Sequence, residues 1–374
     1  MNARDLRIDA LKALASQCIV LHHLAIYGPM PLIAAPLAPD LVQWLDAYGR
    51  YAVQVFLVMG GYLAAGSLWP GRGSRASMQE SPAGLLMRLL RRFWRLTPTL
   101  WAALLLTLLV TAVIRFGLGP AHLPDHTPAW PSASELLANL LLLQDVLDIA
   151  ALSAGIWYVA IDFQLYALLA LLLWVLNRRG WMRGADGLVM GLTALSLLVI
   201  NRDTAWEVWA PYFLGAYGLG ILAWRATQSQ GHRRFALLAS MALLVLLALW
   251  VDWRDRIALA GLVAFVLVGL GRRPGAGGAL LDQAADNAPG QGIGLMERGV
   301  GLMGRGVSLM GQISYSVFLV HYAICLAMNS LATFLPAQPA LHAGLLALTW
   351  ALSNLAGFAL YHAVETKFAP GRLR

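Results

Sequence analysis

The stretch WYVAIDFQLYALLALLLWV, residues 157–175, decides the fold, because it carries a single charged residue, Asp162, in an otherwise apolar run. At 1.5 Å per residue it covers about 28 Å, close to the thickness of a bilayer's hydrocarbon core. Neither this run nor Leu104–Val110 alternates apolar with polar residues, which excludes the strands of an outer-membrane barrel. The whole chain reads the same way: of 374 residues, 59% are hydrophobic and only 12% charged, against about half and about a quarter in a globular domain. Mean hydropathy is +0.65. The fold class is therefore all-α, a polytopic transmembrane helical bundle, and soluble enzyme classes are excluded.

Working outward, ten spans are expected, near 9–27, 42–68, 97–114, 156–176, 187–201, 206–224, 235–251, 256–271, 313–335 and 341–363. Of the 27 Lys and Arg, 22 fall in alternate loops and tails, and the other five are Arg50, Arg115, Arg202, Arg254 and Arg256. The positive-inside rule then puts both termini in the cytoplasm and requires an even number of spans. For the same reason the first span is read as a membrane helix and not as a cleaved signal peptide. The net charge of +8 is thus topological, and no nucleic-acid partner is implied. Residues 1–374 form a single membrane-embedded domain. The longest outer loop, 115–155, is expected to cap an external opening, and the Gly-rich 272–312 is a cytoplasmic loop. Its repeat, at Gly294, Gly301 and Ser308, spaces Leu295, Leu302 and Leu309 seven apart, as in an interfacial helix or a linker without a role.

Ionisable residues at membrane depth are costly and so mark candidate sites. The first span holds Asp9, Lys12 and the pair His22–His23. Lys12 and His23 are eleven residues apart, about three turns, and share one helix face some 16 Å apart along the axis. Asp9 and Lys12 also read as an interfacial ion pair. Adjacent histidines point about 100° apart, so only one of His22 and His23 faces a common cavity. Asp162 and His23 are both expected in the outer half, where the carboxylate would fix the imidazole's tautomer. The alternative for Asp162 is a folding pair with an arginine or a backbone group.

Arg88, Arg91, Arg92 and Arg95 fall at i, i+3, i+4 and i+7 and form one basic helical face. They anchor the chain to anionic lipid or clamp phosphate, and coenzyme A is the phosphate-rich cytoplasmic ligand that fits. His321, within span nine, reads as a hydrogen bonder of the bundle core, and Glu365 as a pair for one of the arginines. Cys18 and Cys325 lie in apolar runs and exclude a disulfide scaffold. Nucleotide-binding, zinc-protease, serine-hydrolase and CxxC motifs are absent from the sequence, and no metal site is read from it.

These motifs resemble the acyltransferase 3 family of integral membrane proteins, over nearly the whole chain. IDALKALA (8–15) with His23 is similar to the family's D-G-L-R…H opening, VQVFLVMGGYL (53–63) to v-x-x-F-F-x-x-S-G-f-L, and RFWRLTP (92–98) to R-x-x-R-i-y-P. WYVAIDFQLY (157–166) resembles W-s-L-s-v-E-x-Q-f-Y, QISYSVFLVH (312–321) resembles k-i-S-Y-s-l-Y-L-w-H, and ETKF (365–368) the closing E-x-P-f. Lys12, Gly60, Asp162 and Lys367 stand where the patterns have Arg, Ser, Glu and Pro.

The resemblance implies an enzyme of the bacterial cytoplasmic (inner) membrane that moves an acyl group, commonly acetyl, from cytoplasmic acyl-CoA to a hydroxyl of a carbohydrate or lipid-linked sugar in polysaccharide biosynthesis. No appended extracytoplasmic domain of the kind some members carry after the last span is expected, so final transfer is expected within the bundle itself or by an unnamed partner. Acyl-CoA is then the co-substrate, with no permanently bound cofactor. Lys12, Arg92 and Arg95 would hold its phosphates, His23 would act as general base, Asp162 would orient it, and Trp157 and Tyr158 would stack on a sugar. Asp9, His321 and Glu365 would support the site. The rival reading is a transporter or flippase that moves a polar or glycolipid substrate without acyl chemistry. Against it, no half-to-half repeat is visible.

Overall fold

The computed structural model describes residues 6–69, 81–271 and 294–368, and among these residues no strand occurs. All ten expected segments are helical. The helices are α1 (Leu6–Ile26), α2 (Pro29–Ala34), α3 (Pro39–Tyr48), α4 (Ala52–Leu68), α5 (Pro82–Ala112), α6 (Ala133–Leu140), α7 (Ile156–Arg178), α8 (Ala185–Leu198), α9 (Ala210–Thr227), α10 (Gly231–Val251), α11 (Asp255–Leu270), α12 (Gly294–Ala332) and α13 (Pro339–Ala363). Seven membrane-length segments are apolar enough to cross a bilayer, or eight when the bent α1–α2 pair is one span. α9 and α11 are not among them. α11 has only 16 residues, and α9 is buried along most of its length by other helices, so it does not need an apolar, lipid-facing surface.

Two sets of helices build the bundle. α9 packs against α4, α7, α8, α10 and α11, while α12 packs against α1, α5 and α13. The sets meet where α1 touches α4 and where α7 touches α4 and α5. α4 and α9 approach closely because they meet at glycines: a Cβ at Gly61 would overlap the carbonyl of Tyr217, and one at Gly220 the carbonyl of Val58. Small residues at such crossings replace the missing hydrophobic drive between helices in lipid with close backbone packing.

Several expected boundaries move. α5 starts at Pro82, well before the apolar run, behind an N-cap in which the Gly84 N–H donates to the Ser81 hydroxyl (3.2 Å). α12 starts at Gly294, so the repeat, expected in a loop, is helical and continues into the ninth span. The remainder of that loop, 272–293, lies outside the described residues. At the other end of the bundle, α1 stops at an 83° bend before α2. Gly28 makes the bend at φ +77°, a region open to glycine. Asn329 clamps it: its amide donates to the Tyr27 carbonyl (3.0 Å), and its Oδ1 accepts from the Met30 N–H (3.3 Å).

Candidate active site

α1 and α12 run parallel, with Asp9 beside Ser308, Ser16 beside Ser314 and His23 beside His321. His23 Nδ1 and His321 Nε2 are 2.7 Å apart. The ring planes differ by 4° and the centroids are 4.9 Å apart, as two coplanar rings joined nitrogen to nitrogen require. The proton positions follow from one carbonyl. His321 Nδ1 lies 3.3 Å from the Val317 carbonyl, which can only accept, so Nδ1 carries the hydrogen. In the neutral imidazole, His321 Nε2 is then the acceptor, and His23 Nδ1–H donates to it. The lone pair of His23 Nε2 remains available on the far side of the ring. The neighbouring His22 turns elsewhere, its Nδ1–H donating to the Leu45 carbonyl (2.8 Å) and tying α3 to α1.

Asp162 does not orient His23 as expected. Its carboxylate accepts from Arg92 at 2.5 Å, with only 9% of the Asp162 side chain and 20% of the Arg92 side chain exposed. The guanidinium also lies over the Tyr166 ring, 4.9 Å from its centroid. The reason is depth. α5 begins ten residues before Arg92, about 15 Å along the axis, so this arginine is already inside the bundle when α7 passes it. Gly60 provides room, since a Cβ there would sit 3.1 Å from Asp162 Oδ1. Arg92 Nε and the Tyr217 hydroxyl, both buried, have no hydrogen-bond partner among the described residues.

Asp9 accepts from the Ser308 hydroxyl (3.0 Å). Lys12 follows it on α1, half-buried. Arg95 remains more exposed than Arg92, and its charge interacts with those of Glu365 and Asp162. Glu365 accepts from Ser316 (2.6 Å). Trp157 and Tyr158 face other bundle aromatics: Trp157 lies against Phe213, and Tyr158 lies edge-on to Phe318.

Tyr315 donates to the Leu96 carbonyl, one turn past Arg92, and so marks the level of the Arg92–Asp162 pair on α12 (3.0 Å). His321 is six residues farther along, about 9 Å. Tyr158, one turn from Asp162, meets Phe318, and Phe318 lies 6.1 Å from His321. A column of rings thus joins the buried ion pair to the histidine pair. Beyond it stands Tyr27, stacked on His23 at 5.1 Å, followed by Tyr322 and His126. Sequence reading missed Tyr27, Tyr217 and His126. A tyrosine four residues after His23 falls on the same helix face, and that spacing was the available signal. Among the described residues, no group of three or more His, Cys, Asp or Glu comes together as a metal site would require.

A family model described as an acyltransferase domain, that of the acyltransferase 3 family, matches residues 5–360. No curated protein and no solved structure matches the chain. Since the match runs from α1 into α13 and takes in both the histidine pair and the Arg92–Asp162 pair, the chain belongs to the acyltransferase 3 family, as an acyltransferase domain built of membrane-spanning helices.

Proposed function

We propose that the protein is an O-acyltransferase that moves an acyl group, in the first instance acetyl, from acyl-CoA to a hydroxyl of a carbohydrate or lipid-linked sugar, with His23 as general base. The observation that carries this reading is the His23–His321 pair, whose bond to the Val317 carbonyl leaves an unprotonated His23 Nε2. Such a nitrogen takes the hydroxyl proton as the alcohol oxygen attacks the thioester carbonyl carbon. The C–S bond then breaks, and the proton held on Nε2 passes to the departing CoA thiolate. General-base help of this kind is worth about 10²–10⁴-fold.

Donor phosphates are assigned to Arg95 and Lys12, with Arg92 held in place by Asp162. In this arrangement Asp162 acts on the donor side and His321 takes over the orienting role. Donor and acceptor meet at the histidines from opposite ends of the bundle, the donor end facing the cytoplasm of a bacterial inner membrane.

The test is binding and turnover of acetyl-CoA by the purified protein in detergent. His23→Ala should retain binding and lose CoA release, and the Arg92→Ala/Arg95→Ala double variant should lose binding. Wild-type turnover in a normally expressed His23→Ala protein would overturn the assignment.

A further inference from the structure

The segment after α5 closes over the end of the bundle at which the histidine pair lies. α5 runs into a π-helical turn, Val113–Leu118, whose Arg115 donates to the carbonyls of Thr127 (3.3 Å) and Pro128 (2.9 Å). The Ser330 hydroxyl donates to the His122 carbonyl (2.9 Å). The Tyr322 hydroxyl, on the residue after His321, donates to the His126 carbonyl (2.5 Å). Residues 115–128 are thus fastened through backbone groups to α12, beside the candidate base.

This fastening sets one side chain apart. His126 stands at φ +69°, uncommon for any residue but glycine. Its ring lies 5.1 Å from that of Tyr27, tilted by 58°, while Tyr27 stacks on His23 with a 14° angle between planes. His126 is exposed, and among the described residues its ring nitrogens make no hydrogen bond. The result is an aromatic wedge open to the outside. It offers ring faces and a free imidazole edge, and it is joined through one shared ring to His23. Ring faces suit the C–H side of a sugar, and a hydrogen-bonding edge suits its hydroxyls.

We infer that Tyr27 and His126 form the acceptor subsite and bind the ring of a neutral hexose so that one of its hydroxyls reaches His23. The inference rests on the transferase reading, but its test does not require turnover. The probes are the methyl glycosides of glucose, galactose, mannose, rhamnose and N-acetylglucosamine, titrated by saturation-transfer NMR onto the full chain in nanodiscs. Saturable binding of at least one is expected in the wild type, weakened at least tenfold by Tyr27→Leu and by His126→Asn. Asparagine tolerates the left-handed backbone, so His126→Asn removes the ring while keeping the strap's conformation. Binding of none by the wild type, or unchanged affinity in His126→Asn, would overturn the inference. CoA release from acetyl-CoA by the wild type, measured in parallel, tests the transferase reading separately.

Discussion

His23 and His321, nearly three hundred residues apart in sequence, are joined ring to ring in one plane at 2.7 Å. Proton relays of this form usually end on a carboxylate, which holds the imidazole tautomer by its charge. Here the relay ends on the neutral carbonyl of Val317. The tautomer is set by hydrogen-bond direction alone, so the base would depend on His321 retaining an acceptor atom at the Nε2 position.

His321→Ala should therefore lower acyl transfer by about 10²-fold or more while leaving donor affinity unchanged. His321→Gln retains an amide oxygen able to accept from His23 Nδ1–H and should recover part of the rate. CoA-release kinetics on both variants check this. Equal losses in Ala and Gln would reduce His321 to a packing residue.

The Arg92–Asp162 pair predicts a coupling in stability. Removing one partner leaves a buried charge without its counter-ion, at a cost of about 3–5 kcal/mol. Arg92→Gln and Asp162→Asn should each lower the unfolding temperature in detergent markedly. The double variant should lose less than the two single losses together. Simple additivity would mean that the two side chains do not act as a pair.

How much of this was legible follows from what each signal measures. Apolar runs report burial in lipid, so α7 and α13 were legible nearly to their ends, and His23 stood out as an ionisable group where ionisable groups are costly. Helix starts in water leave no apolar trace. α5 begins at Pro82 and α12 at Gly294, both far ahead of their apolar stretches, and the first of these shifts brought Arg92 to the depth of Asp162. Partner choice also depends on helix rotation, which a hydropathy profile does not contain. Counting residues from the helix ends put Asp162 level with His23, whereas it pairs with Arg92 of α5, about 9 Å along α12 from the histidine pair.

The bend at Gly28 holds Tyr27 against His23 through Asn329. Gly28→Ala would force a side chain into the left-handed region and onto the Asn329 amide group, costing about 1–3 kcal/mol. Asn329→Ala would free the Tyr27 carbonyl and the Met30 N–H, a loss of similar size. Both should lower thermal stability. Both should also lower acyl transfer beyond what stability explains, measured well below the unfolding temperature.

Outside the spans, α6 provides a pH test. The backbone N–H and hydroxyl of Ser132 donate to Glu135 at 2.7 and 2.9 Å, and these bonds lower the carboxyl below its ordinary value of 4.5. The charged form is the bonded one, so the cap's contribution is present above the unfolded-state value and is lost as pH falls through the lower folded value. The protection factors of the α6 amides, corrected for the intrinsic pH dependence of exchange, should fall as pH drops through that lowered value, and Glu135→Gln should remove the dependence. Unchanged protection in acid would show that the cap does not hold the helix.

The crossing of α4 and α9 predicts where the bundle tolerates least change. At Gly61 and Gly220 the facing atoms are backbone carbonyls, of Tyr217 and Val58, which cannot turn aside as a side chain can. One added methyl group must move a whole helix, and overpacking costs typically 1–3 kcal/mol even where side chains yield. At Gly187, on α8, a Cβ meets nothing within 4 Å. Gly61→Ala and Gly220→Ala should therefore lower the unfolding temperature strongly, and Gly187→Ala should raise it slightly through helix propensity. Because Tyr217 also borders Gly60 and so lies beside Asp162, the first two variants should also weaken acetyl-CoA binding in whatever fraction remains folded. A Gly61→Ala protein with wild-type stability and donor affinity would mean that the two helices do not meet at these glycines.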